Sequence, residues 1–233
     1  MITETCEPTL LRMVQEYTRI VIDGAIGCPF TVCLACSRQP VVFKRHDTRH
    51  RIFYVITNHG ILRRFSMVTR WKCTLCKRTF TAYPEFALPY KRYLLPDITD
   101  LAVNYLEDDR QTYRRAVLRN NAEIYHKCSD GRECGSPLAH TTLHRWIGTL
   151  GKMRQTVATA LDYIKQKCPQ SNIFREVATL IVHPRKYRSL ERKDLLVRCR
   201  TLLRVQEEFV RVFSDRLRRA SIFPKLAAKC SWS

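Results

Sequence analysis

Four cysteines in two close pairs have the residue types and spacing to bind a metal. Two residues separate Cys33 from Cys36 and Cys73 from Cys76, and 36 residues lie between the pairs. A two-residue gap lets both thiolates of a pair reach one tetrahedral ion, and two such pairs complete a closed four-sulfur site. We therefore predict one structural Zn²⁺ at these four cysteines. Cys28 is an alternative to Cys33, although its spacing from Cys36 is wider.

A second group of metal-binding residue types follows later in the chain. Cys128 and Cys134 precede His140 and His144, and His126 stands beside them. Two histidines four residues apart on a helix can share a metal. The cysteines are too widely spaced for a standard zinc knuckle, so we treat a second zinc site as the weaker alternative.

The residues between the cysteine pairs predict a hairpin that positions the first site. Residues 53–56 are β-branched or aromatic, residues 58–60 offer a turn, and residues 61–68 can return as a partner strand. This pattern predicts an extended zinc ribbon. We expect Phe53, Phe65 and Trp71 to form its small core.

The charge of the chain is concentrated in two blocks. The 233 residues include 41 Lys and Arg against 21 Asp and Glu, a net charge of +20. Residues 25–96 carry +11 and residues 152–233 carry +12, while the rest of the chain is slightly negative, which indicates two contact surfaces for a polyanion. In the first block the residues expected to contact a nucleic-acid backbone are Lys44, Arg45, Arg49, Arg51, Arg63, Arg64, Arg70, Lys72, Lys77 and Arg78.

The segment between the two basic blocks is almost neutral and has helical spacing. A Ser-Pro start at residue 136 precedes a stretch whose apolar residues fall on one face, with Thr141, Thr142, His144 and Arg145 facing outward. This arrangement is typical of the recognition helix of a helix-turn-helix protein, which reads base edges in the major groove.

The order of these motifs resembles a bacterial family of zinc-ribbon plus helix-turn-helix proteins. That family is similar to the N-terminal DNA-binding region of insertion-sequence transposases. The resemblance covers about residues 28–151, and its most specific parts are the cysteine pairs and the stretch Thr141-Thr142-Leu143-His144-Arg145-Trp146-Ile147. It implies DNA binding, with the four cysteines as zinc ligands and residues 141–145 on the recognition helix.

The C-terminal region departs from the transposase pattern. Transposases continue into a nuclease domain with three spaced carboxylates, whereas 82 residues follow position 151 here and they have a helical pattern. A long amphipathic stretch from Leu190 to about Leu217 offers an apolar stripe for the core or for a homodimer, and a basic opposite face. We therefore expect a protein that is not an enzyme.

Two other functions remain open. A small transposase or nuclease could use magnesium bound by Asp97, Asp100, Asp108 or Asp109. An RNA-binding ribonucleoprotein subunit is the other, because basic and aromatic ribbons also bind RNA.

The sequence thus predicts a mostly α fold with a small β zinc ribbon. Its expected parts are an N-terminal segment (1–24), the ribbon with its basic hairpin (25–95), a helix-turn-helix domain (96–151) and a basic helical region (152–233). The expected function is non-catalytic binding of double-stranded DNA, associated with a transposon or with regulation. The chain shows no signal peptide and no apolar run near the roughly 20 residues that would span a bilayer. We expect a cytoplasmic, nucleoid-associated protein with no membrane partner.

Overall fold

The computed structural model divides the chain into two compact units. It describes residues 6–33, 35–37, 42–108, 110–119, 121–128, 131–181, 189–213, 221–223 and 226–227. The first unit comprises Met1–Leu95, Lys127–Glu133 and Pro224–Ser233, and the second comprises Pro96–His126 and Cys134–Phe223. The first unit is therefore assembled from three separate stretches of the chain.

A long antiparallel hairpin dominates the first unit. Strand β1 (Phe43–Thr57) pairs with β2 (Gly60–Cys73) from Thr57 opposite Gly60 to Phe43 opposite Cys73. Strand β3 (Thr79–Ala82) extends the sheet beside β2, and β8 (Leu226–Ala227) pairs with β3. The turn is held by the Thr57 hydroxyl, which donates to the Gly60 carbonyl at 2.8 Å.

Helix α1 (Cys6–Ile22) packs on the hairpin and forms its main core. Leu10 and Val14 of the helix are buried with Phe53, Val55 and Val68 of the strands. Phe53 and Val55 are two residues apart along β1, and Leu10 and Val14 are four apart along α1, so each element contributes one apolar face. A hydrogen bond of 2.7 Å between the Thr18 and Ser66 hydroxyls lies at the same interface.

The second unit contains most of the helices. Helices α5 (Arg154–Lys167) and α7 (Leu190–Phe213) pack together, and Leu196, Leu202 and Val205 of α7 are buried. The remaining elements after β3 are α2 (Leu95–Glu107), α3 (Tyr113–Ala116), β4 (Leu118–Arg119), β5 (Ala122–Glu123), β6 (Tyr125–Lys127), β7 (Glu133–Pro137), α4 (His140–Leu150) and α6 (Ile173–Thr179).

The prediction of a mostly α fold with a small zinc ribbon is wrong. Of the described residues 45% are helical and 25% lie in strands, so the fold is mixed. The N-terminal part is not an obvious zinc ribbon, because β1 and β2 are 15 and 14 residues long and are covered by a helix. The sequence predicted strands only over residues 53–56 and 61–68, which are shorter than β1 and β2. The first half of β1 is rich in charged residues that do not alternate with apolar ones, so it gave no strand signal, although the backbone pairing continues through it.

In the described residues no partner helix lies a short turn before α4, which is the arrangement that the predicted helix-turn-helix unit of residues 96–151 requires. Helix α3 has four residues, and the short strands β4 to β7 lie between it and α4. A recognition helix in such a motif follows its partner helix after a turn of three or four residues. Helical spacing was visible in the sequence, but strands of two to five residues leave almost no periodic signal.

No helix in the described ranges is both long enough and apolar enough to cross a membrane.

Candidate metal centre and basic hairpin

Four cysteine sulfurs come together at the end of the hairpin remote from its turn. The Sγ atoms of Cys33, Cys36, Cys73 and Cys76 all lie within 4.8 Å of one another, and those of Cys33 and Cys76 are 3.6 Å apart. Sulfurs at 2.3 Å from a tetrahedral zinc are about 3.8 Å apart. The four cysteines could therefore hold a metal ion such as zinc without rearrangement of the chain.

The two cysteine pairs form equivalent turns. The N–H of Ser37 donates to the Cys33 carbonyl at 2.8 Å, and the N–H of Lys77 donates to the Cys73 carbonyl at 3.0 Å. Ser37 and Lys77 both have positive φ, at 51° and 61°. In each turn the chain thus reverses directly after the second cysteine, which directs both sulfurs of the pair to the same side.

Aromatic side chains surround the sulfurs. Cys33 and Cys73 are buried in a small cluster with Phe80, and Phe30 and Phe43 pack against it. The three phenylalanine rings lie edge to face, with centroids 5.5 to 6.3 Å apart. The first cysteine pair precedes β1 and the second follows β2, so pairing of the strands brings the two pairs together.

The protein environment favours a thiolate at Cys33. Burial acts to raise the pKa of Cys33, but hydrogen bonds from the backbone N–H groups of Ala35 and Cys36, and from neighbouring thiols, lower it to about 7. At Cys76 a backbone hydrogen bond from Arg78 acts to lower the pKa, but burial and the neighbouring thiols together raise it above its usual value. The cluster therefore shares negative charge among close sulfurs, an arrangement that a bound cation would stabilise.

The alternative ligands are placed elsewhere. The thiol of Cys28 is 3.9 Å from the Phe30 carbonyl, outside the four-sulfur group, and burial raises its pKa. Cys134, His140 and His144 do not gather with a further donor into a second metal-binding group among the residues that the structure describes.

Three of the predicted backbone-contact residues are committed to contacts inside the first unit. Arg45 donates to the Val21 carbonyl at 3.0 Å, near the C-terminal end of α1. Arg51 donates to the Lys91 carbonyl at 2.9 Å. Arg70 lies 2.9 Å from Asp47 and 2.6 Å from the Thr79 hydroxyl, and its side chain is only 16% exposed. These arginines stabilise the hairpin.

Most of the other predicted contact residues are accessible. Lys44 lies directly opposite Lys72 across the strands. Arg49 is exposed and 3.9 Å from Asp47, the acid that Arg70 contacts more closely. Arg64 is half-buried, and its Nε atom has no hydrogen-bond partner. Further exposed cationic residues are Arg63, Lys77 and Arg78.

The expected aromatic core is correct for two residues and wrong for the third. Phe53 and Trp71 are buried, whereas Phe65 is 67% exposed. Its neighbour Arg63 lies over the ring, with the guanidinium carbon 4.6 Å from the ring centroid. Phe65 pairs with Ile52 on the opposite face from Phe53, and alternation along the strand alone could not tell which face is covered.

The predicted base-reading residues lie on α4 in the second unit. Leu143, Trp146 and Ile147 are buried, while Thr141, His144 and Arg145 are exposed and Thr142 is half-buried. The His144 ring packs edge to face on Tyr113 at 5.3 Å. Burial and the nearby cations Arg192 and Arg145 lower the pKa of His144.

The basic face of α7 is largely occupied by contacts within the second unit. Each arginine of the helix has a partner within this unit. Arg192 contacts the Tyr113 hydroxyl and the His144 carbonyl, and Arg200 donates to the Ile181 carbonyl. The other three contact acids: Arg198 contacts Asp194, Arg204 contacts Glu107 and Glu207, and Arg211 contacts Glu208. The apolar stripe of the helix is buried in the same unit. These residues are therefore less available for phosphates or for a dimer than the sequence indicated.

The carboxylates considered for magnesium do not form a group in the described part of the chain. Asp97 is buried in the first turn of α2, and burial raises the pKa of Asp100. Asp108 accepts the N–H of Arg110 at 2.8 Å. Asp109 lies outside the described residues.

The structure thus defines a mixed α/β chain of two units with a four-cysteine centre in the first. Residues 33–120 match the model of a family described as Domain of unknown function (DUF6431). The match begins at Cys33 and includes all four cysteines of the centre, together with the hairpin. No curated protein and no solved structure matches the chain. The resemblance to transposase DNA-binding regions stays a prediction.

Proposed function

We propose that this chain is a non-catalytic DNA-binding protein whose basic hairpin contacts the phosphate backbone and whose cysteine centre binds structural zinc. The observation that supports this most is the pairing of Lys44 with Lys72 beside the cysteines. Like charges placed directly opposite each other destabilise a strand pair. An anionic ligand between them would turn that repulsion into attraction.

The acids nearby cannot neutralise this charge. Residues 25–96 contain 13 Lys and Arg but only two acids, Asp47 and Glu85. Asp47 already accepts from Arg70 at 2.9 Å. A net excess of cations on one hairpin is the electrostatic signature of a nucleic-acid surface.

Zinc would be structural in this account. Four thiolates fill the tetrahedral coordination of the ion, so no position is left for a substrate or a reactive water. The ion would join the segment before β1 to the turn after β2 and so hold the basic end of the hairpin together. The exposed polar residues Thr141, His144 and Arg145 on α4 would supply base contacts.

Competitive binding with the purified, zinc-loaded chain tests the proposal. A labelled DNA duplex would be challenged at fixed salt with unlabelled duplex, single strands and structured RNA, with zinc content measured in parallel. We expect the unlabelled DNA duplex to compete best. Preferential competition by structured RNA would instead favour a ribonucleoprotein role, and the absence of binding to any of them would refute nucleic-acid binding.

A further inference from the structure

The face of the hairpin that points away from α1 carries aromatic and cationic side chains. Residues directly opposite each other in antiparallel strands point to the same face, and successive residues alternate between the two faces. Phe53 packs on α1, so its neighbours Ile52 and Tyr54 point to the other face. Their partners across the strands are Phe65 and Arg63, which share that face. These side chains therefore lie next to one another on the sheet, away from the helix.

A further aromatic residue joins this face from the segment after β3. Tyr93 forms a parallel bridge with Tyr54, and the N–H of Leu94 donates to the Tyr54 carbonyl at 3.3 Å. Leu94 is buried in the core with α1, so Tyr93 before it points to the other face. The rings of Tyr93 and Tyr54 accordingly pack together, with centroids 5.2 Å apart. We call this surface the aromatic face; it consists of Tyr54, Phe65, Tyr93 and Arg63.

The middle of the aromatic face is open to solvent. Phe65 is 67% exposed, although the guanidinium carbon of Arg63 lies 4.6 Å from its ring centroid. On the same side of β2, Ile61 towards the turn and Trp71 towards the cysteines are buried. The exposed ring thus lies between two covered ends of the strand. An aromatic ring kept in solvent forgoes the stabilisation of burial, which a ligand that covers the ring would restore.

The charge of the aromatic face favours an anionic ligand. Arg63 is exposed, and the single acid of β1 and β2 is Asp47. Asp47 pairs with Arg70, which the alternation of β2 places on the α1 side. Exposed rings beside a guanidinium, with no carboxylate from the two strands on the same face, complement a base joined to a phosphate, because the ring can stack and the cation can pair.

We propose that the aromatic face binds a short unpaired stretch of a DNA strand. One base stacks on Phe65, Arg63 contacts the phosphate beside it, and the pair Tyr54 and Tyr93 contacts the neighbouring base. Aromatic residues on the open face of a sheet hold about two or three bases of a single strand in this way. The inference rests on the proposed function and specifies its ligand, because the bases of a perfect duplex stay inside the stack.

Two ligands of equal charge test the proposal on the full zinc-loaded chain. The first is a DNA duplex with a bulge of three thymidines, and the second is the same duplex with three abasic positions in the bulge. Phosphate contacts contribute equally to both affinities, so the difference reports on the bases alone. Stacking of one base changes affinity by at least about fivefold, and we expect the thymidine bulge to bind more tightly by at least that factor.

Substitutions at Phe65 locate the effect. Phe65→Leu removes the ring but keeps an apolar side chain, so it should bring the affinities for the two bulges together, whereas Phe65→Trp should preserve the difference. Because Phe65 is exposed, both variants should keep the urea unfolding midpoint of the unsubstituted chain. Tyr163→Leu is the matched control and should preserve the difference, since Tyr163 is an exposed aromatic residue on α5 of the second unit.

The outcomes separate the two proposals. Equal affinities for the thymidine and abasic bulges, or a Phe65→Leu variant that still prefers thymidine, would overturn the base site and leave duplex binding intact. Tighter binding of a uridine bulge in an RNA duplex would overturn the assignment to DNA. If no nucleic acid binds at all, the proposed function fails and the base site fails with it.

Discussion

The Sγ atom of Cys33 lies 3.6 Å from the Sγ atom of Cys76, although 43 positions separate the two residues in the chain. Each belongs to a different cysteine pair, and Cys36 and Cys73 complete the group within 4.8 Å. Four sulfurs at this separation repel one another once deprotonated, so the arrangement is stable only with protons or a metal among them.

Removal of one predicted ligand should weaken metal binding. We expect one zinc ion per chain by native mass spectrometry, and a much lower zinc occupancy after Cys73→Ser or Cys76→Ser in the presence of a competing chelator, because three thiolates leave the fourth position of the tetrahedral site to water. Cys28→Ser is the control and should keep the ion, since its sulfur lies outside the group. If Cys28→Ser lost the ion while Cys73→Ser and Cys76→Ser kept it, or if the unsubstituted chain held two ions, the ligand assignment would be wrong.

Acid should release the ion. The lowered pKa of Cys33, about 7, means that its thiolate is present above that value and is lost as the pH falls through it. Protons then compete with the metal for sulfur, and the apparent zinc affinity declines steeply on the acid side. A chromophoric zinc chelator added over a pH series measures this release. Equal retention at neutral and strongly acidic pH would contradict thiolate ligation.

The arginines of the hairpin should divide into structural and accessible groups. Arg70→Met removes the contacts with Asp47 and Thr79 from a largely buried side chain, and should lower the free energy of unfolding by roughly 1 to 3 kcal/mol. Arg49→Met changes an exposed side chain and should alter the free energy of unfolding by less than about 0.5 kcal/mol. Urea unfolding provides both values. Comparable losses in the two variants would refute this division.

Arg145 should affect specificity more than affinity. Once a preferred duplex has been selected from random sequences, Arg145→Ala should weaken it by about 1 to 3 kcal/mol and random duplex by less, because base contacts are lost only at the preferred site. Lys152→Ala is a control of equal charge change beyond the end of α4 and should act on both duplexes alike. Equal losses on both duplexes in Arg145→Ala would remove the base-reading role.

Local spacing was enough to predict some parts of the molecule. The two-residue gaps within the cysteine pairs indicated that the four cysteines come together, since both sulfurs of each pair would have to reach one ion. Apolar residues three and four apart predicted a helix from Leu190, and α7 spans Leu190–Phe213. The turn at residues 58–60 was also visible, because Asn and Gly favour the backbone angles of a tight turn.

Features set by tertiary contacts were missed. Helix α1 had a signal in the spacing of Leu10, Val14, Tyr17 and Val21, but the segment was interpreted only by its charge. The exposure of Phe65 depends on which face α1 covers, and that choice is not encoded in the strand itself. The roles of Arg45 and Arg70 likewise depend on partners distant in sequence, so composition assigned them to phosphates.

The salt dependence of DNA binding tests the central claim most directly. Affinity for a fixed duplex would be measured by fluorescence anisotropy over a salt series, for the unsubstituted chain and for Lys44→Gln with Lys72→Gln. Each lost phosphate contact lowers the slope of log affinity against log salt by about 0.9, so the double variant should bind more weakly with a slope reduced by roughly 1 to 2. Lys165→Gln with Lys167→Gln makes the same charge change at the end of α5 and should leave the slope nearly unchanged. A hairpin variant that keeps the original slope, or an unsubstituted chain that does not bind DNA, would contradict the account.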